Sequence, residues 1–210
     1  MKKVVLIGDS IRAGYDKYAK QALAGEVEVL FSPDSGRFAQ YVLRAVSDWK
    51  KEEGWGDDID LVHWNAGLWD VLRQFGEEPL TPPEMYAEMI RRVDLRLRYL
   101  FPNAKMVFAT STHVLEEKYG KNFKRYNREI EQYNAIACDV LCHTDTVIND
   151  LYAFTASLPI SFYSDMTHLY TPEGTEAMTN QVLAVICDTL GIERKTYDAG
   201  DYFTDKPHGV

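Results

Sequence analysis

Long apolar runs, a surplus of basic charge and paired cysteines are all missing from this chain of 210 residues. No stretch approaches the roughly 18 consecutive apolar residues of a membrane-spanning helix, so no membrane association is expected. The opening MKKVVLI begins like a signal peptide, but only four apolar residues precede Gly8, Asp9 and Ser10. That run is too short for an export signal, and the expectation is a soluble, cytoplasmic protein. Basic residues number 23 against 32 acidic ones, and a net charge of -9 repels a polyanion. Nucleic acid is therefore excluded as a partner. The three cysteines, Cys138, Cys142 and Cys187, are an odd set with no C-x-x-C pair, which supports neither a disulfide framework nor a zinc ribbon. Cys138, Cys142 and His143 have the spacing of half a metal site on a helix, a pattern that more often means packing. No metal and no cofactor is expected. A G-x-x-x-x-G-K-[ST] phosphate loop is also missing, and GWGDDI (54–59) precedes a strand where a dinucleotide fingerprint would follow one.

What is present is enough apolar residue for one good core, 46% of the chain. The reading is one domain over 1–194 and a tail over 195–210 that lacks periodicity and is expected to be loosely held. Short apolar runs alternate with segments of helical period, the pattern of strands joined by crossover helices into a parallel sheet. Strands are expected at Lys3 to Ile7, Val27 to Phe31, Asp60 to Trp64, Lys105 to Thr110 and His143 to Ile148. Helices are expected at Ile11 to Leu23, Phe38 to Lys51, Pro83 to Leu100 and Asn122 to Leu141, the last with Phe123, Tyr126, Ile130, Tyr133, Ala137 and Val140 on one face. A final helix has Thr171 as N-cap, Pro172 at its first position and Gly191 beyond its end. Residues 91–98, RRVDLRLR, read as a solvated helix face.

Chemistry concentrates where strands end. Ser10 closes the first strand; read alone it is a helix cap with Asp9, and read with a base it is a nucleophile. Asp165 and His168 lie three apart on a loop entering the last helix, where a carboxylate can hold one ring nitrogen while the other takes a proton. A turn and a loop histidine remain the plain alternative. Oxyanion donors should come from turns beside the serine. Two turns qualify: PDSGRF (33–38) offers the Gly36 amide, and WNAGLWD (64–70) offers the Asn65 side chain or the Gly67 amide. The polar connection from Ala66 to Pro82 leaves the carboxyl end of a strand, where ligands of open α/β sheets bind. Tyr15, Trp64, Trp69, Phe75 and Tyr163 are candidates to stack on a sugar ring or line an acyl pocket, or else to pack the core and lid.

The order G-D-S, glycine turn, Asn-Gly turn and D-x-x-H across the whole chain resembles the SGNH (GDSL) hydrolase superfamily. The resemblance implies a flavodoxin-like three-layer α/β/α sandwich around a five-stranded parallel sheet. It makes Ser10 the nucleophile, His168 the general base and then acid, and Asp165 its orienting carboxylate; Asp9 shapes the turn and Gly36 joins the Ser10 amide as oxyanion donor. The third block is usually G-x-N-D, and GLWD keeps Gly67 and Asp70 but sets Trp69 where the asparagine belongs. Asn65, two residues earlier, is the candidate replacement, with a backbone donor or no third donor as the alternatives. GDSIR and the N-A-G-L-W-D turn are similar to bacterial acylhydrolases and carbohydrate esterases. The implied substrate is a small-molecule ester, an acylated sugar by that likeness, with short-chain acyl groups, acetyl first. Two rivals stand beside this reading. One is a sugar- or acyl-binding protein that has lost catalysis, motivated by Trp69. The other is a receiver or flavin-binding module, motivated only by the opening MKKVVLIGDS.

Overall fold

A computed structural model describes residues 1–201. The chain runs through strand β1 (Lys2–Ile7), helices α1 (Ser10–Ala13) and α2 (Asp16–Ala22), strand β2 (Val27–Phe31), helix α3 (Ala39–Glu52), and strands β3 (Leu61–Trp64) and β4 (Arg73–Gln74). It continues through α4 (Pro83–Leu100), β5 (Lys105–Ala109), β6 (Phe123–Lys124), α5 (Asn127–Leu141), β7 (Val147–Asn149), α6 (Leu151–Ala156) and α7 (Pro172–Leu190). Five strands form a parallel sheet in the order β2-β1-β3-β5-β7. β1 is buried from Val4 to Ile7 because helices cover the sheet on both faces. Each such side chain contributes roughly 1.5–3 kcal/mol by leaving water. The strand order reverses between β1 and β3, and the crevice at their carboxyl ends is where this topology binds ligands.

The expected elements differ from the observed ones in four places, each for a tertiary reason. The first helix breaks into α1 and α2 at Gly14 and Tyr15, so that the fully buried Tyr15 ring meets His63 edge-on. The fourth begins at Asn127, because Phe123 and Lys124 pair antiparallel with Arg73 and Gln74 across β6 and β4. Phe123 is thus partly exposed on a ribbon, away from the helix face predicted for it. The fifth sheet strand starts only at Val147, since Thr144 and Thr146 form a turn in which the Thr144 hydroxyl donates to the Leu141 carbonyl and accepts from the Thr146 amide. Helix α6, unread in the sequence, is started by the Asp150 carboxylate, which accepts from the Ala153 amide.

The described part of the tail is held rather than loose. Tyr197 is buried against Tyr18, and Asn180 of α7 brackets its backbone, donating to the carbonyl at 3.0 Å and accepting from the amide at 2.7 Å. The rest of the predicted tail, 202–210, lies outside the described residues. Among the described residues no helix is long and apolar enough to cross a membrane.

Candidate active site

Two turns and one loop meet at the carboxyl edge of β1. The first turn is Gly8-Asp9-Ser10. Asp9 caps α1, accepting from the Ile11 amide at 3.0 Å through Oδ1. The cap and nucleophile readings of this turn are therefore compatible, because the capping carboxylate belongs to Asp9 and leaves the Ser10 hydroxyl free. The same Asp9 oxygen accepts from Asn65 Nδ2 at 3.1 Å, so β3's exit is tied to β1's exit. Asp9 is fully buried and its Oδ2 has no hydrogen-bond partner among the described residues; burial pushes its carboxyl above the ordinary range against the pull of Asn65, the Ile11 amide and the Arg125 and His168 charges.

The loop before α7 is pinned at several points. Thr171 caps α7, accepting from the Gly174 amide at 3.0 Å and donating to the Phe162 carbonyl at 2.9 Å. Asp165 Oδ1 accepts from the amides of Thr167 (2.6 Å) and His168 (2.8 Å), an Asx turn that folds the loop back on itself. This leaves Asp165 Oδ2 against His168 Nδ1 at 2.7 Å, and His168 Nε2 against Ser10 Oγ at 2.8 Å. Burial raises the Asp165 carboxyl, but its bonds from His168 and the two amides outweigh that and hold it down at about 2. An ionised carboxylate only accepts, so Nδ1 carries the ring proton and Nε2 accepts from the Ser10 hydroxyl. The geometry links three groups from opposite ends of the chain in one proton path.

Tyr170, which sequence reasoning missed, completes this face. Its ring stacks on the His168 imidazole with centroids 4.6 Å apart, and its hydroxyl donates to the Ser10 carbonyl at 2.5 Å. Burial raises the phenol's pKa, so it stays a donor at any pH of interest. The only sequence signal was its place two residues after His168. Tyr170 therefore holds both the imidazole plane and the backbone of the serine turn.

Of the predicted oxyanion donors, Gly36 requires a correction. The Gly36 amide donates its one hydrogen to the Gly8 carbonyl at 2.7 Å, whereas the Asn65 side-chain amide gives one of its two hydrogens to Asp9 and keeps the other. Both residues act as struts of the Gly-Asp-Ser turn. The Ser10 amide, at the first position of α1, has no acceptor among the described residues and points its donor to the site by helix geometry. Gly36 lies so close to Gly8 that a Cβ on it would stand 2.9 Å from that residue's carbonyl carbon and oxygen. Asp70 is buried and caps α3, accepting from the Ala39 amide at 3.1 Å. Trp69 is half-buried beside it. Of the other aromatic candidates, Tyr15 and Trp64 are fully buried in the core, Tyr163 is buried with its hydroxyl near His113, and Phe75 is 73% exposed at the end of β4.

No protein-family model and no curated protein matches the chain. Solved structures do. A lipase/acylhydrolase from Enterococcus faecalis is 18% identical with a TM-score of 0.70, over 93% of this chain and 100% of that one. An acetyl xylan esterase is 17% identical with a TM-score of 0.68, over 88% of this chain and 99% of that one. The fold is that of the SGNH (GDSL) hydrolases. A catalytic mutant of an acetylxylan esterase from Geobacillus stearothermophilus adds a third case, 18% identical with a TM-score of 0.62 over 91% of this chain and 95% of that one. In SGNH terms, the chain places Ser10, Asp165 and His168 at one sheet edge, with the glycine turn and the Asn-Gly turn beside them.

Proposed function

We propose that this protein is a serine esterase of the SGNH superfamily acting on a short-chain acyl ester, acetyl first, carried by a small alcohol such as a sugar. The observation that carries this is the continuous hydrogen-bonded path from Asp165 through His168 to Ser10. His168 Nε2 takes the Ser10 proton as Oγ attacks the ester carbonyl carbon, and the charge that develops on the carbonyl oxygen meets the Ser10 amide. The imidazolium formed is stabilised by Asp165 and gives its proton to the departing alcohol oxygen. Water then repeats the sequence on the acyl-enzyme: it loses a proton to His168, attacks the acyl carbon and releases the acid and free Ser10. The sugar as alcohol rests on the acetylxylan esterases among the structural neighbours.

A second reading, ligand binding without turnover, is favoured by the commitment of the Gly36 donor to the turn itself. One experiment separates them. A fluorophosphonate should label Ser10, located by mass spectrometry, and Ser10→Ala should lose aryl acetate hydrolysis by about a thousandfold or more. Labelling elsewhere, or a Ser10→Ala variant as fast as wild type, refutes the esterase reading.

A further inference from the structure

Arg125 has a buried charge that touches no carboxylate, although its field reaches the buried Asp9 carboxyl. The residue is 4% exposed. The other deeply placed arginines are paired with carboxylates, Arg12 with Asp16 and Arg73 with Glu129. Arg125 meets no carboxylate within 4.0 Å among the described residues. Its Nε donates to the Leu68 carbonyl at 2.5 Å and its Nη1 to the Tyr119 hydroxyl at 3.2 Å, both neutral acceptors. The rings of Phe123 and Tyr119 stand 5.4 and 6.0 Å from its guanidinium carbon. A guanidinium has five N–H donors in a planar fork, and Nη2 has no acceptor among the described residues. Nη2 is also not wholly sealed from water, as the Arg12 Nε is; it keeps a small contact with solvent.

The place of this charge decides what it does. Leu68 belongs to the loop that leaves β3 beside the serine turn. Tyr119 in turn shares a 2.6 Å hydrogen bond with Thr167, the residue before His168. The guanidinium is thus bonded into both walls of the site. An unpaired buried charge lowers stability until a partner arrives, and a chain of net charge -9 needs a local cation to draw an anion in. Resting on the esterase reading above, we infer that Arg125 is a specificity residue that binds a carboxylate carried by the ester substrate, through the open edge of its guanidinium. Phe123 on β6, whose ring is 5.4 Å from the guanidinium carbon, adds partly exposed aromatic surface beside it.

The carboxylate can belong to the alcohol or to the acyl group, and two matched pairs distinguish them. For the alcohol side the pair is 4-acetoxybenzoate against 4-acetoxybenzamide; for the acyl side it is 4-nitrophenyl hydrogen succinate against its methyl ester. Wild type should favour the anionic member of one pair by about tenfold to a hundredfold in kcat/KM. Arg125→Met should remove that preference through KM while leaving the neutral ester's rate nearly unchanged, and Arg125→Lys should keep part of it. No preference in either pair, or an equal loss on neutral and anionic esters in Arg125→Met, overturns the inference while leaving the esterase intact. Where Arg125→Met does not fold, inhibition of neutral-ester hydrolysis in wild type decides. 4-Hydroxybenzoate or succinate should inhibit at least tenfold better than the corresponding amide, and equal inhibition overturns the proposal. Failure of wild type to hydrolyse any of the four esters overturns the esterase reading and this inference with it.

Discussion

Replacing Gly36 with alanine sets a methyl group 2.9 Å from two backbone atoms of Gly8. Non-bonded carbons rest at roughly 3.5–4.0 Å, so the two turns must part by about 0.6 Å or more. Backbone lies on both sides of the contact, and no rotamer can absorb it. The 2.7 Å bond from the Gly36 amide to the Gly8 carbonyl stretches with it. Overpacking of this kind costs about 1–3 kcal/mol of stability, which a domain of this size survives. Ser10 is two residues beyond Gly8, and a shift near 1 Å in a reacting atom costs about a hundredfold in rate. Gly36→Ala should therefore stay folded and lose about a hundredfold in kcat. The assay is aryl acetate turnover beside a thermal melt, with Gly120→Ala as the control, because a Cβ at Gly120 meets nothing within 4 Å. A folded Gly36→Ala with kcat within threefold of wild type refutes the reasoning, and shows that the serine turn does not depend on this contact.

Asp165→Asn removes the group that dictates the His168 tautomer, and should cost about a thousandfold or more in kcat with little change in melting temperature; a loss below tenfold refutes the role. Because the Asp165 carboxyl is held at about 2, below its ordinary value, its carboxylate persists above that ordinary value and is lost only as pH falls through about 2. An inflection in the wild-type pH–rate profile near pH 4 must then come from another group. His63 is fully buried, accepting from Asn149 Nδ2 at 3.2 Å, and burial lowers its pKa to about 4. Between the ordinary imidazole value near 6.5 and about 4, the unfolded chain binds a proton that the folded one refuses, so stability falls as pH falls. This one site should remove about 2.4 kcal/mol between pH 7 and pH 4.5. His63→Gln should lose correspondingly less, as read from denaturant midpoints at the two pH values. Asp70, raised by burial to about 7, has the opposite sign, but it is common to both proteins and cancels in the comparison. Parallel pH dependence in wild type and variant refutes the assignment.

The legible parts of this protein were those encoded by neighbours in the chain. Val27–Phe31, Pro83–Leu100 and Pro172–Leu190 have the bounds that period and caps predict. Thr171 and Pro172 start a helix through their own hydroxyl and fixed φ, whatever surrounds them. The break at Tyr15 and the late start of α5 were not legible, since they answer to His63 and to the Arg73–Gln74 strand, each some 50 residues away.

The site divides along the same line. Its proposed reacting residues were legible only as a set: G-D-S at the end of a buried strand reads alone as a cap and D-x-x-H before a capped helix as a turn. Their order along the chain is what pairs them, while the Asx turn that aims His168 lies within four residues. Which hydrogen-bond donors remain free is a different kind of question, answered only when distant segments compete for the same groups. Gly36 looks like a free amide until Gly8 approaches it, and Asn65 keeps only one of its two amide hydrogens once Asp9 is buried beside it. Tyr170 and Arg125 acquire their parts only by reaching Ser10, Leu68 and Tyr119 across the fold. Sequence alone set the order of motifs that nominates Ser10 and His168, and tertiary packing decided what surrounds them, because a polar group's partners are set by what the folded chain leaves within 3 Å of it.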